Sequence, residues 1–249
     1  MAVTTPEQLP TPVSMIDRVV RILDAFEGAD GLTLAQVVRQ TGLPRSTAHR
    51  ILEHLAEVRY LRREEHTYRL GMRIMELGSL VIHQDRVREA ATPYLHRLHQ
   101  STGLVAHLAV LDANEVVYLD KVGNRFGTLL PSRVGGRLPA ARTGVGKALL
   151  AHAPSAAHQP ERLRAELARI RERGVAYDRE EAVRGVGCVA APVIGAGDTS
   201  ALAAISVCGP LHQLRFARLA SAVRQTVADV WRAASRNAAT PRGVAASRR

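Results

Sequence analysis

The sequence predicts an α+β chain in two parts: a helical unit closed by a small hairpin, then, after a helical connector, a larger unit of mixed strands and helices. Three observations predict this. At 249 residues the chain is too long for one minimal module and fits two of ordinary size. Apolar residues recur at the helical period as far as Val58, and from Leu104 the period changes to that of strands. Hydrophobic residues at 46% and charged residues at 23% are ordinary globular values, which excludes a wholly disordered, collagen-like or disulfide-framed chain.

The arm 1–12 is rich in Pro and Thr and is expected to be flexible. Ser14, three residues before Asp17, starts a helix with a capping box; Met15, Val19, Ile22, Leu23 and Phe26 form its apolar stripe, and Gly28 ends it. Thr33, with Gln36 three residues on, caps a second helix, Leu34 to Thr41. Gly42-Leu43 makes a turn, and Pro44 begins a third helix, since its fixed φ suits a first helical position. Ala48, Ile51, Leu52, Leu55 and Val58 bury one face of that helix. Residues 60–63 and 67–70 read as two strands around Glu64-Glu65-His66. Three helices and a hairpin over 13–71 make a winged helix. The connector, 72–100, is helical with a break expected near Pro93.

Over 101–236, LVAHLAVL and VVYLDKV read as strands joined at 112–115, and GTLLPSRV as another. Helices follow at 144–152 and 160–173, then VGCVAAPVI and ALAAISVC as strands about the glycine-rich turn 195–200, and a last helix from Leu211 to about Ser235. The basic tail 237–249 is expected to be disordered.

Charge is unevenly spread. Residues 1–80 hold ten of the 34 basic and ten of the 23 acidic residues, so 24 against 13 remain and the whole net charge of +11 lies in 81–249. The case for nucleic acid therefore rests on placement. A major groove admits one helix, and its phosphate walls are met by side-chain donors. At the start of the third helix Arg45 and Arg50 can fork onto guanine or phosphate, Ser46 and Thr47 can bond phosphate, and His49 can do either. Thr33, at the head of the preceding helix, is counted with them, and wing residues Arg62, Arg63, His66 and Thr67 can reach backbone or minor groove. Every surface helix carries polar residues; here the turn, the wing and the acid-free stretch from Leu32 to Arg50 coincide, and favour double-stranded DNA.

SMIDRVVRILDAFEGADGLTLAQVVRQTGLPRSTAHRILEHLAEVRYL resembles the DNA-binding domain of IclR-type bacterial transcription regulators. GRLPAARTGVGKALLA, RIRERGVAYDREE, GVGCVAAPVIG and ALAAISVCGP resemble that family's ligand-sensing domain, so the likeness runs from about Val13 to Trp231. It implies a winged helix-turn-helix joined by a linker helix to a GAF-like α/β effector-binding domain, homodimers or homotetramers, repression of an operator, and a small organic or aromatic acid as effector. Arg45, Thr47 and Arg50 match operator-contacting positions. Gly144 and Val145 match a turn whose amides hold the effector's carboxylate, consistent with their place at a helix start; Asp178, Cys188, Ser206 and Cys208 match pocket-lining positions. Three features depart from the pattern: Arg59 replaces a helix-ending glycine, Cys208 replaces a frequent serine, and the segment between Lys147 and Asp178 is shorter by about a helix.

Other readings carry less. RTGVGKALL lacks the Walker A spacing, with Ala141 and Ala148 at required positions, and Lys147 reads as a solvent-facing helix residue. Asp178, Glu180 and Glu181 read as a solvated turn rather than catalytic carboxylates, the histidines show no zinc spacing, and neither enzyme activity, cofactor nor metal is expected. Cys188 and Cys208, on consecutive strands, leave a redox-responsive regulator as the alternative, although buried cysteines in apolar strands more often pack inertly. The N-terminus lacks the regions of a signal peptide and no apolar run reaches membrane-spanning length, so a cytoplasmic protein is expected.

Overall fold

The computed structural model describes residues 14–195 and 200–239, the last three by backbone alone; the arm 1–12, most of the glycine-rich turn and the tail from residue 240 lie outside the described residues. The chain divides into two compact units between Val81 and Ile82.

In the first unit α1 (Met15–Asp24) starts on the capping box, with Ser14 Oγ accepting from Asp17 N–H at 3.1 Å and Asp17 Oδ2 accepting from Ser14 N–H at 3.0 Å. Strand β1 (Leu32–Thr33), α2 (Leu34–Thr41), α3 (Arg45–Glu57), β2 (Leu61–Glu64) and β3 (Thr67–Leu70) follow, and the three strands pair in the order β1-β3-β2. Ile22, Phe26, Val37, Ala48, Ile51, Leu52, Leu55 and Leu61 close the core, each nearly or wholly sheltered from solvent. Gly42 turns between α2 and α3 at φ 68°.

Arg59, read from the sequence as replacing a helix-ending glycine, itself adopts the left-handed conformation, φ 66°. The strain this imposes on an L-residue is about 1–2 kcal/mol. The backbone is tightly packed here: a Cβ added at Gly71 would lie 2.2 Å from the Arg59 carbonyl oxygen, so position 71 requires glycine. The arginine side chain compensates by binding Glu76 Oε1 at 2.7 Å on α4 (Met72–Gln84).

The connector breaks at Asp85, not at Pro93. Asp85 Oδ1 accepts from Arg88 N–H at 2.8 Å and so starts α5 (Arg86–Thr102), which carries Pro93 in its interior. Pro93 and Glu89, one turn before it, are both exposed, and the helix continues through the proline.

The second unit is a six-stranded antiparallel sheet between two helical layers. Strands β4 (Val105–Asp112), β5 (Glu115–Val122), β6 (Arg137–Pro139), β7 (Ala176–Arg179), β8 (Val186–Val193) and β9 (Ala203–Pro210) take the order β6-β5-β4-β9-β8-β7. Alternation divides them. Leu108, Val189, Ala191, Ile205 and Val207 face α5 and α8 (Phe216–Ala239). Ala109, Tyr118, Cys188, Ala190 and Ala204 face α6 (Gly144–Leu150) and α7 (Glu161–Arg173).

Two expectations fail in this unit. GTLLPSRV is not a strand: Asn124 Oδ1 accepts from Phe126 N–H at 3.0 Å and winds 125–129 into a 3₁₀ turn, while Pro131 has no N–H for a ladder. The last helix runs to Ala239, past Ser235 and into the segment expected to be disordered. No helix among the described residues is long and apolar enough to cross a membrane.

Candidate functional site

Each unit carries one candidate site. In the first, α2 and α3 frame an open groove lined by Thr33, Arg45, Ser46, His49, Arg63, His66 and Tyr68, about 930 Å³ in volume. Thr33 is also the cap of α2, its hydroxyl exchanging bonds with Gln36 at 2.9 and 3.3 Å. Arg45 and Arg50 are exposed on α3 and have no ion-pair or hydrogen-bond partner among the described residues; Thr47 is half-buried beside them. No carboxylate stands in the first turn of α3, so its N-terminal amides and these guanidiniums present one positive surface.

The wing is less free than the sequence implies. Arg63 donates to Glu53 at 2.9 Å and to the Glu65 carbonyl at 2.9 Å, and Arg62 is paired with Glu64. Glu53 also accepts from the Tyr68 hydroxyl and lies 4.0 Å from His49. The Tyr68 hydroxyl, followed by Arg63 and His49, holds the Glu53 carboxyl below its usual range; burial, then the bond to Glu53, pushes Tyr68 up to about 12. This knot fastens wing to recognition helix. It was not foreseen, because Glu53 and Tyr68 are 15 residues apart and meet only when the hairpin folds back.

In the second unit Gly144, Val145, Asp178, Cys188, Ser206 and Cys208 all line one cavity of about 40 Å³. Thr143 caps α6 by accepting from Gly146 N–H at 3.1 Å, leaving the amides of Gly144 and Val145 without intrahelical acceptors. Gly144 is obligatory, since a Cβ there would stand 2.9 Å from Cys188 Sγ. Leu130, Pro131, Leu138, Val183 and Val186 supply an apolar wall.

The sequence reading missed the polar neighbours His107, Tyr118, Ser132 and Thr143. His107 is 2% exposed; its Nε2 bonds Ser132 Oγ at 2.9 Å, and its Nδ1 has no hydrogen-bond partner among the described residues. A histidine at an inward position of an otherwise apolar strand was the available signal.

Two readings are corrected here. Asp178 is no part of a solvated turn: it is 4% exposed, and burial raises its carboxyl to about 6 against the bond it accepts from Glu181 N–H at 2.8 Å. Lys147 is wholly buried, its Nζ donating to Glu166 at 2.8 Å and Glu181 at 2.6 Å. Helix α6 is buried along its whole length, so the amine meets carboxylates from α7 and from the 180–186 loop instead of water. That pair ties the loop forming one cavity wall to α6.

A winged helix-turn-helix with unpaired arginines on its third helix defines a DNA-binding transcriptional regulator. The chain belongs to the IclR family of bacterial regulators: residues 15–65 match the IclR helix-turn-helix domain, and 79–160 and 154–236 the bacterial transcriptional regulator IclR C-terminal domain. It is 34% identical over 202 residues to the HTH-type transcriptional regulator XynR of Escherichia coli, covering 73% of this chain and 80% of that one. With the transcriptional repressor IclR of the same organism it shares 28% identity, over 81% and 82% of the two chains. Among solved structures, an IclR homolog complexed with 4-hydroxybenzoate from Microbacterium hydrocarbonoxydans superposes with a TM-score of 0.80 at 29% identity, over 90% of this chain and 100% of that chain. The Thermotoga maritima IclR, at 24% identity and a TM-score of 0.71, shares the fold over 87% of this chain and 97% of that one.

Proposed function

We propose that the protein is a cytoplasmic repressor whose binding to an operator is controlled by a small organic acid held in the second unit. The observation that carries this is the convergence of Asp178, Ser206, Cys208 and His107 with the helix-start amides of Gly144 and Val145 on one largely apolar cavity, the usual composition of a small-molecule site. The amides suit a carboxylate, the apolar wall a ring or short chain, and the hydroxyl, thiols and imidazole a second polar group. The 4-hydroxybenzoate bound by the Microbacterium homolog has these features, and an aromatic or other small carboxylic acid is the effector class proposed here. The 180–186 loop is the wall that yields to admit it.

The DNA-facing set is Arg45, Thr47 and Arg50, with Thr33, Ser46 and His49 on phosphates and Arg63 engaging only when it leaves Glu53. Met15, Ile16 and Val20 on α1, and Met72, Met75 and Leu80 on α4, stay exposed, up to 74% at Ile16. Such apolar surface is what a homodimer or homotetramer would cover. The linker region 72–100 couples effector to operator, and the coupling is reciprocal: an acid that weakens DNA binding tenfold is itself bound tenfold more weakly by the DNA complex.

The test selects duplexes from fragmented genomic DNA with the pure protein, then titrates the selected fragment with and without a panel of small organic acids. Saturable, salt-dependent binding that one class of acid shifts is the expected result. Binding of no duplex, or acids that alter neither DNA affinity nor thermal stability, would refute the reading.

A further inference from the structure

Cys188 and Cys208 are the chain's two cysteines, and the register of β8 with β9 sets them directly opposite one another. Both are free thiols and both line the cavity. We propose that they form a redox-active dithiol which a small hydroperoxide converts to a cross-strand disulfide, making the cavity a site of covalent modification in addition to any ligand it holds.

The geometry needs little adjustment. Directly opposed residues of an antiparallel pair have Cβ atoms about 4.5–5.5 Å apart, and a disulfide requires about 3.5–4.5 Å, so an approach of about 1 Å closes the bond. The cavity's 40 Å³ holds a molecule of a few heavy atoms, given that one water fills about 10–15 Å³ on such a measure. Hydrogen peroxide fits.

The surroundings also divide the labour between the sulfurs. A hydrogen bond from the Cys188 thiol, together with neighbouring His107, holds the Cys208 thiol below its usual range. Cys208 and burial push the Cys188 thiol up. His107 lines the same cavity, its Nε2 at 2.9 Å from Ser132 Oγ. Cys208, the more exposed sulfur and the one beside Ser206, acts as the nucleophile, and the buried Cys188 as the resolving thiol.

The Cys208 thiol releases its proton, and the thiolate attacks the hydroperoxide oxygen. An S–O bond forms, the O–O bond breaks, and the departing alkoxide or hydroxide takes up the released proton. The Cys188 sulfur then attacks the sulfenic acid; the S–S bond forms, the S–O bond breaks, and hydroxide leaves with the Cys188 proton as water. Two thiols lose two protons and two electrons, and the hydroperoxide becomes an alcohol or water, plus one water. The product removes two S–H groups from the polar end of the cavity, where Ser206 Oγ lies 3.9 Å from Cys208 Sγ.

The full chain is treated with a small molar excess of hydrogen peroxide, quenched with iodoacetamide, and analysed by intact mass and peptide mapping. The expected product has lost two hydrogens, resists alkylation at both positions, yields one Cys188–Cys208 cross-linked peptide and reverts with dithiothreitol. Cys188→Ser should accumulate oxygen on Cys208, Cys208→Ser should leave Cys188 reduced at the same dose, and His107→Phe should slow disulfide formation about tenfold. Recovery of both wild-type thiols alkylated, an intermolecular disulfide instead, or oxidation of Cys188 in Cys208→Ser at the wild-type rate overturns the proposal. Circular dichroism and thermal melting of each variant separate these outcomes from a failure to fold.

Discussion

Replacing Asp178 by asparagine should stabilise the second unit at neutral and alkaline pH, and the size follows from the buried carboxyl. Its folded value is about 6 against an ordinary 3.8, raised chiefly by burial. Below pH 3.8 the group is protonated in both states and the folded chain bears no penalty. Between 3.8 and about 6 only the unfolded chain ionises it, so stability is lost as pH rises through this window, and above 6 the loss is constant. At about 1.4 kcal/mol per pH unit the loss is about 3 kcal/mol. Asparagine keeps an Oδ1 to accept from Glu181 N–H but brings a buried NH₂ to satisfy, at about 1 kcal/mol, so the net gain is about 2 kcal/mol. For a unit of this size that raises Tm by about 4–8 °C. Calorimetry of wild type and Asp178→Asn from pH 4 to pH 8 reads it directly: the curves should cross near about pH 4.5, with the variant the more stable by pH 7. Equal Tm at pH 8, or a difference that does not shrink on acidification, would show that Asp178 is not held as an unfavourable buried carboxylate. The same variant should lose its response to the proposed acid effector, read as an unshifted operator affinity on adding the acid.

Arg50→Ala should weaken binding to the selected duplex by about 1–3 kcal/mol, about 5- to 150-fold, without changing Tm, as measured by fluorescence anisotropy at fixed salt; equal affinity excludes the residue from the interface. Lys147→Met keeps volume but leaves Glu166 and Glu181 without their cation; since both glutamates retain 30% and 45% exposure and can rehydrate, the expected loss is about 1–3 kcal/mol, below that of a fully buried pair, read by chemical denaturation. Gly146→Ala would place a Cβ 2.2 Å from the Ala140 carbonyl oxygen, so α6 must shift; a drop of about 3 kcal/mol is expected, and an unchanged Tm would contradict the packing described.

Helices α1 and α2 were legible because each carries both a period and a capping box, Ser14 with Asp17 and Thr33 with Gln36, and α3 because its apolar period follows Pro44 directly. Strands β1, β6 and β7 were not, since two to four residues show no period and form only by pairing with a longer neighbour. Pro93 misled because whether a proline breaks a helix depends on its surroundings in the fold, which composition does not state. Lys147 misled for the complementary reason: its side chain is sheltered by α7 and by a loop 34 residues away. The six cavity residues assigned through the family resemblance do share one cavity, whereas His107, outside the quoted motifs, needed the fold to bring it beside Cys208.

The two edges of the six-stranded sheet are β6, three residues ending in Pro139, and β7, four residues ending in Arg179. Arg137 on β6 is clasped by Asp112 and Glu115 at 2.6 and 2.8 Å. Edges this short, one closed by a residue with no N–H and both bearing charge, offer a second chain almost no backbone template. Through this sheet folded molecules therefore have little means of polymerising by strand addition. An assembly built on it is held by side chains, which detergent, salt or point mutation can take apart reversibly.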